Sequence, residues 1–278
     1  MSRYCRQVCR QKMIHNYNFF QALVLKQLVE TKGFRFGLVG THTSRTIMLT
    51  ELNAVLDAVP SESSRSDYAS AIIESNCLAK ATTSTRRLTN QRLGELYGLD
   101  RSVALFRVLR RLWMLDEPGR PLLALLAALA RDPLLRATAD PIVTMPENSE
   151  FQRGAMRTAV LNATGDRLNE STLDKVIRNA ASSWTQSGHL AGRTFKFRRR
   201  VHSTPATVAF ALYLAYAAGF RGEELLSSGW LRVLDCTATS PQGLAMEAKR
   251  MGLLDLRIGG DVVEINPERL DPNWQGRS

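Results

Sequence analysis

Residues 171–200 read STLDKVIRNAASSWTQSGHLAGRTFKFRRR: an apolar ladder, a glycine turn and a dense run of cations. Leu173, Val176, Ile177, Ala180, Ala181 and Trp184 fall at i, i+3, i+4, i+7, i+8 and i+11, the spacing of one face of an α-helix. Polar residues, Lys175 and Arg178 among them, fill the positions between. Ser171 with Asp174 three residues on predicts a capping box at the helix start, and Gly188 predicts its end. Beyond the turn, Arg193, Lys196, Arg198, Arg199 and Arg200 are interleaved with Phe195 and Phe197. A strand here places Lys196, Arg198 and Arg200 on one side and anchors the two rings in the core on the other. No acid follows Asp174 in this stretch, so the run predicts a surface that meets phosphate.

The composition points the same way. The 278 residues are 44% hydrophobic and 23% charged, ordinary for a globular chain, but the net charge is +11. Such basicity favours a polyanionic partner, meaning DNA, RNA or an anionic membrane. The most apolar stretches, Pro121 to Ala130 and Pro205 to Ala218, are shorter than the roughly 20 residues that a membrane span needs, so no membrane partner is expected. Without a secretory signal at the N-terminus the expected location is cytoplasmic. Cysteines at 5, 9, 77 and 236 form no disulfide framework.

The length suits two domains of ordinary size. Residues 1–36 hold seven Lys/Arg against one acid, Glu30, and read as a basic arm with a short helix between Phe19 and Val29. An N-terminal helical domain spans 37–142. Met48, Leu52, Val55, Leu56 and Val59 form one helical stripe, capped by Thr43 or Ser44 and stopped by Pro60. A helix over 66–75 follows, then one over 84–98 that gathers Arg86, Arg87, Asn90 and Gln91 in one arc, residue types that read base edges in a major groove. Ser102 to Leu115 buries Leu105, Phe106, Leu109, Leu112 and Trp113 and turns Arg107, Arg110 and Arg111 outward. PLLALLAALA, from Pro121, is apolar all round and belongs at the centre of a bundle. DPIVTMPENSE, 140–150, reads as a linker.

A C-terminal domain, 143–278, restarts with a helix over 151–163 and then the opening stretch. Thr204 and Pro205 cap a buried helix that ends by Gly219. Ser240 and Pro241 start another, carrying Leu244, Ala248 and Met251. Gly259 and Gly260 then turn a β-hairpin. The fold class is mostly α, two small helical domains, the second ending in a winged-helix-like hairpin.

The search for reaction chemistry yields no constellation, so no catalytic residue, metal or cofactor is expected. GLVGTHTS, 37–44, lacks the lysine and magnesium ligand of a phosphate loop. Cys5, Cys9 and His15 want a fourth zinc ligand. Glu247 and Lys249, downstream of Asp235, echo a nuclease pair but lie on a helix. His189 reads as a turn or phosphate contact, and His42 and His202 have no evident partner.

NCLAKATTSTRRLTNQRLGELYGLD in the first half, with LDKVIRNAASSWTQSGHLAGR and EAKRMGLLDLR in the second, resembles the BrxA-like family of bacterial BREX phage-defence loci over residues 36 to 266. The resemblance implies a small, mostly helical, non-enzymatic protein that binds DNA and works beside other defence-system proteins. Double-stranded DNA is the expected partner. Arg86, Arg87, Lys175, Arg178, His189, Arg193, Lys196, Arg198, Arg199 and Arg200 are the candidate contacts, with Asn90 and Gln91 touching bases. The alternative is an assembly adaptor that holds other defence proteins or RNA.

Overall fold

The computed structural model describes residue 20 and residues 30–165, 167–236, 241–259 and 262–274. A 3-10 turn, Thr41–Thr43, precedes α1 (Leu49–Ala58), α2 (Arg65–Ile73), α3 (Thr83–Tyr97), α4 (Ala104–Leu115), α5 (Arg120–Arg131), α6 (Pro133–Ala137) and α7 (Ala139–Val143). Then come α8 (Arg153–Thr164), α9 (Glu170–Gln186), the strands β1 (Leu190–Ala191) and β2 (Phe197–Arg198), and α10 (Pro205–Ala217). The chain continues through α11 (Glu224–Ser227), α12 (Gly229–Arg232), α13 (Pro241–Arg250), β3 (Asp255–Gly259) and β4 (Val262–Asn266). The fold is mostly α, with two small antiparallel hairpins.

Two helices organise the core because they are apolar on every side. Every residue of α5 from Leu122 to Ala130 is buried, and so is every residue of α10 from Ala206 to Ala215. Such helices need neighbours all round. α10 takes α4 and α5 on one side and α12 and α13 on the other, so one apolar cluster runs across the boundary expected near residue 142. In the C-terminal part, α11, α12 and α13 pack on α10, and the β3–β4 hairpin packs beside α13. This is the winged-helix-like ending. Among the described residues no helix is long and apolar enough to cross a membrane.

Several helix starts follow side-chain oxygens, two of them two residues before the residue expected. Asn169, not Ser171, caps α9, its Oδ1 accepting the Thr172 N–H at 2.8 Å. Thr82 caps α3. Met48 precedes α1 in the left-handed region, and neither Thr43 nor Ser44 caps it. Thr204 caps α10 with Pro205 at its first position, as expected.

The linker expected at 140–150 is partly helical, and Ile142 within it is buried. In the expected arm, Phe20 and Phe34 are buried edge-on against Trp230, and the Trp230 indole donates to the Phe20 carbonyl at 2.9 Å. The remainder of residues 1–29, with Cys5, Cys9 and His15, lies outside the described residues, as does Gly260 of the expected turn. Gly259 pairs with Val262, which makes it the last residue of β3. Met251, expected inside, is exposed.

Much of the arginine content is internal architecture. The last carbonyls of a helix have no partner within it and carry partial negative charge. Arg110 donates to Val59 O at the end of α1, Arg86 to Ile73 O of α2, and Arg131 to Glu95 O and Gly94 O of α3. Arg120 donates to Trp113 O of α4, Arg136 to Leu129 O and Ala130 O of α5, and Arg221 to Tyr216 O of α10. Arg110, expected outside, is buried for this reason.

Because one core serves both halves, Leu212→Ala on α10 is expected to cost about 2–5 kcal/mol and to lower one transition that circular dichroism and tryptophan fluorescence report together. Two separate transitions would contradict a shared core.

Candidate nucleic-acid interface

The opening stretch forms a hairpin pinned on both sides. β1 pairs with β2, Leu190 opposite Arg198 and Ala191 opposite Phe197. On its far side β2 meets residues 148–151: Glu150 bridges to Phe197, Arg198 N–H donates to Ser149 O at 2.9 Å, and Phe151 N–H donates to Lys196 O at 2.7 Å. Gly192 closes the tip at φ 115°, where an added Cβ would lie 1.9 Å from Phe195 O, so a larger residue is excluded. Lys196 folds back, its Nζ donating to Thr185 Oγ1 and Gly192 O at 3.0 Å each, which ties the tip to the end of α9.

The strand alternates as expected, but its faces are exchanged. Arg198 is fully buried, whereas Phe195 is 66% and Phe197 39% exposed. The Arg198 guanidinium donates through Nε to Ile142 O at 2.9 Å and through Nη2 to Asp235 Oδ1 at 2.6 Å, and Nη1 donates to Arg199 O. Asp235 is buried as well, and it also accepts from Arg200 Nη1 at 3.0 Å and Val201 N–H at 3.2 Å. A buried guanidinium is tolerated only with a charge partner and satisfied donors, and this site supplies both. Turning Arg198 inward turns the rings outward, since neighbours on a strand face opposite sides.

His189 is buried too, which removes it as a phosphate contact. Its Nε2–H donates to Val233 O at 2.7 Å, Nδ1 lies 2.9 Å from Ser187 Oγ, and Trp184 meets the ring edge-on. Burial pushes its pKa from 6.5 down to about 4, against the opposing effects of the Val233 carbonyl and Asp235 and with help from Arg198.

The cluster on α3 is mostly occupied. Arg86 caps α2, Gln91 donates to Glu95 Oε1 at 2.9 Å, and Asn90 has its Oδ1 shut away from solvent. Arg87 alone of the four is exposed without a partner among the described residues. No hydrogen bond or ion pair there joins this cluster to the hairpin.

Outside α3, and apart from Arg200, which is exposed but paired to Asp235, the expected contacts that remain on the surface are Lys175, Arg178, Arg193, Arg199 and, half-buried, Lys196. Lys175, Arg178, Ser182 and Thr185 are spaced i, i+3, i+7 and i+10 and so share one stripe of α9. That stripe is about 15 Å long, and it ends at Thr185, where Lys196 attaches. None of these five cations has a carboxylate partner among the described residues. Asp174 on α9 is engaged by Arg153 and Arg157. Arg199 donates to Asn148 Oδ1 at 2.5 Å, and Arg200 is half occupied by Asp235.

One buried constellation was not legible beforehand. His42, read as unpartnered, has Nδ1 2.8 Å from Asp132 Oδ2 and Nε2 2.8 Å from Ser183 Oγ. Asp–His–Ser is the order of a nucleophilic triad, but here all three are buried and the Ser183 hydroxyl donates to Asn179 O at 2.8 Å while accepting from Ile47 N–H at 3.0 Å. The oxygen faces no solvent, and the group acts as a staple between the 3-10 turn, α6 and α9. Burial alone would raise the Asp132 pKa; His42 and the backbone N–H groups of Leu135 and His42 hold it below the usual carboxylate value. Among the described residues no group of three or more His, Cys, Asp or Glu is arranged to hold a metal.

No protein-family model matches this chain, and no curated protein matches it.

Asp235→Ala leaves Arg198 buried and unpaired and is expected to cost about 3–5 kcal/mol in denaturant unfolding, while Arg199→Ala changes stability by no more than about 0.5 kcal/mol. Equal effects would contradict the burial assigned to Arg198. His189 binds a proton more readily unfolded than folded, so stability falls as pH drops from 6.5 through 4. Its share of that loss is about 3 kcal/mol, and a His189→Gln variant followed over the same pH range should lack it.

Proposed function

We propose that this chain is a cytoplasmic DNA-binding protein, without catalytic chemistry of its own, that contacts duplex DNA through the α9 stripe and the β1–β2 hairpin. In line with the resemblance to BrxA-like proteins, it serves as an accessory component beside the other proteins of a BREX-type phage-defence locus. The observation that carries the reading is the group Lys175, Arg178, Lys196, Arg193 and Arg199, exposed or half-buried on one helix and the hairpin that follows it, with no carboxylate partner for any of them among the described residues. Arg86, Arg110, Arg131 and Arg198 are committed to carbonyls or a carboxylate inside the fold, whereas Lys196, though it ties the tip through Gly192 O and Thr185, stays half-exposed. Five cations without a carboxylate partner among the described residues, spread over one helix and one hairpin, suit a run of phosphates rather than a point anion.

The corrected contact set is smaller than the sequence suggested. Arg198 and His189 support the surface from below, and Arg87 stands apart on α3. Salt dependence tests the set directly, because each phosphate neutralised adds about 0.9 to the slope of log K against log salt. Fluorescence anisotropy with a short blunt duplex should give a slope of about −4.5, and Arg193→Ala with Arg199→Ala should make it shallower by about 2. Absence of binding at low salt, or a slope the double variant leaves unchanged, overturns the proposal.

A further inference from the structure

Two exposed phenylalanines stand in sequence among Arg193, Lys196 and Arg199, and contact with duplex phosphates gives them no role. We propose that the tip of the β1–β2 hairpin is a stacking platform for unpaired bases, so that the chain also holds single-stranded nucleic acid there, with bases on Phe195 and Phe197 and the backbone along Arg193, Lys196 and the α9 stripe. The inference rests on reading this surface as a nucleic-acid interface and names a second substrate class for it.

Four observations converge on it. The rings are 66% and 39% exposed, whereas Phe20, Phe34, Phe106, Phe210 and Phe220 are buried and Phe36 and Phe151 half-buried. Phe197 stands on β2, where alternation turns it to the side opposite Arg198, and Phe195 stands two residues before it in the bend of the tip. The Phe197 backbone is fixed by pairing to β1, by the bridge to Glu150 and by the buried Arg198–Asp235 pair beneath, and the tip that carries Phe195 is tied to α9 through Lys196, so both rings are exposed before any ligand arrives. Arg193, Lys196 and Arg199 beside them have no carboxylate partner among the described residues, which suits a phosphate backbone. Aromatic faces flanked by such cations are the recurring means of holding single strands without reading sequence. A phenyl ring has no group that reads a 2′-hydroxyl, so DNA and RNA strands qualify alike. Glu150, the bridge partner of Phe197, is the acid at the edge of the platform.

The experiment uses the full chain, labelled oligo(dT) and oligo(U) of equal length, and a blunt duplex. Phe195→Ala and Phe197→Ala remove exposed rings and leave the core intact, which circular dichroism checks. Each is expected to weaken oligo(dT) and oligo(U) binding by about tenfold or more while duplex affinity stays within about twofold. Glu150→Gln should tighten single-strand binding. A wild type that binds duplex but neither oligonucleotide overturns this inference alone. A wild type that binds no nucleic acid overturns the proposed function as well. Equal loss on duplex and single strand overturns the stacking platform in favour of a wedge between base pairs. Capture by vesicles of phosphatidylcholine and phosphatidylserine that depends on the two rings, with no loss on oligo(dT), overturns it in favour of a membrane surface.

Discussion

The buried pair between Arg198 and Asp235 sets the geometry on which the rest of the candidate surface depends. One guanidinium joins the last turn of α7 through Ile142 O, the hairpin through its own strand, and the segment after α12 through Asp235. Three parts of the chain separated by dozens of residues are thereby locked to one planar group whose donors have fixed directions. The cost of drying the charge is offset by a 2.6 Å charge-assisted bond and by backbone carbonyls with no better donor. Its consequence appears on the other side of the strand, where two rings and Arg199 face water.

The same logic sorts the cations of a chain with a net charge of +11. Arginines at the ends of α1, α2, α3, α4, α5 and α10 are directed at carbonyls that the helix geometry leaves open, and the helix dipole favours positive charge there. These charges belong to folding as much as to binding. His42 and Asp132 perform a similar service deeper in the molecule, where the Asp132 carboxylate also accepts from the backbone at the start of α6. Only after these are set aside does the uncompensated track on α9 and the hairpin stand out. Net charge alone therefore locates no surface, and the candidate one is defined by the cations left over once those serving the fold are set aside.

The fold class was legible because local patterns decide it. The apolar ladders of α9 and α4, the all-round burial of α5 and α10, and the Thr204–Pro205 cap are read from spacing alone, and the structure has them at the expected places. Caps at Asn169 and Thr82 were displaced because several adjacent Ser, Thr, Asn and Asp side chains compete for the same free N–H groups. The inward turn of Arg198 was not legible, because alternation says which residues share a face but not which face is buried. That choice was made by Asp235, 37 positions along the chain. His42, Asp132 and Ser183 were hidden for the same reason, since their contacts span 90 and 141 positions. Lys175, Arg178 and Arg193 survive as surface candidates because no distant partner claims them, and Arg199 because its distant partner, Asn148, is uncharged.

The central claim is that the hairpin presents its rings and conceals Arg198. Hydroxyl-radical footprinting of the free protein, read by mass spectrometry, measures that orientation residue by residue. The account predicts that Phe195 and Phe197 are modified rapidly while Phe210, Trp184 and Trp230 stay protected. Protection of Phe195 and Phe197 to the level of Phe210 would mean that the rings face the core and the guanidinium faces solvent, and it would contradict the account at its foundation.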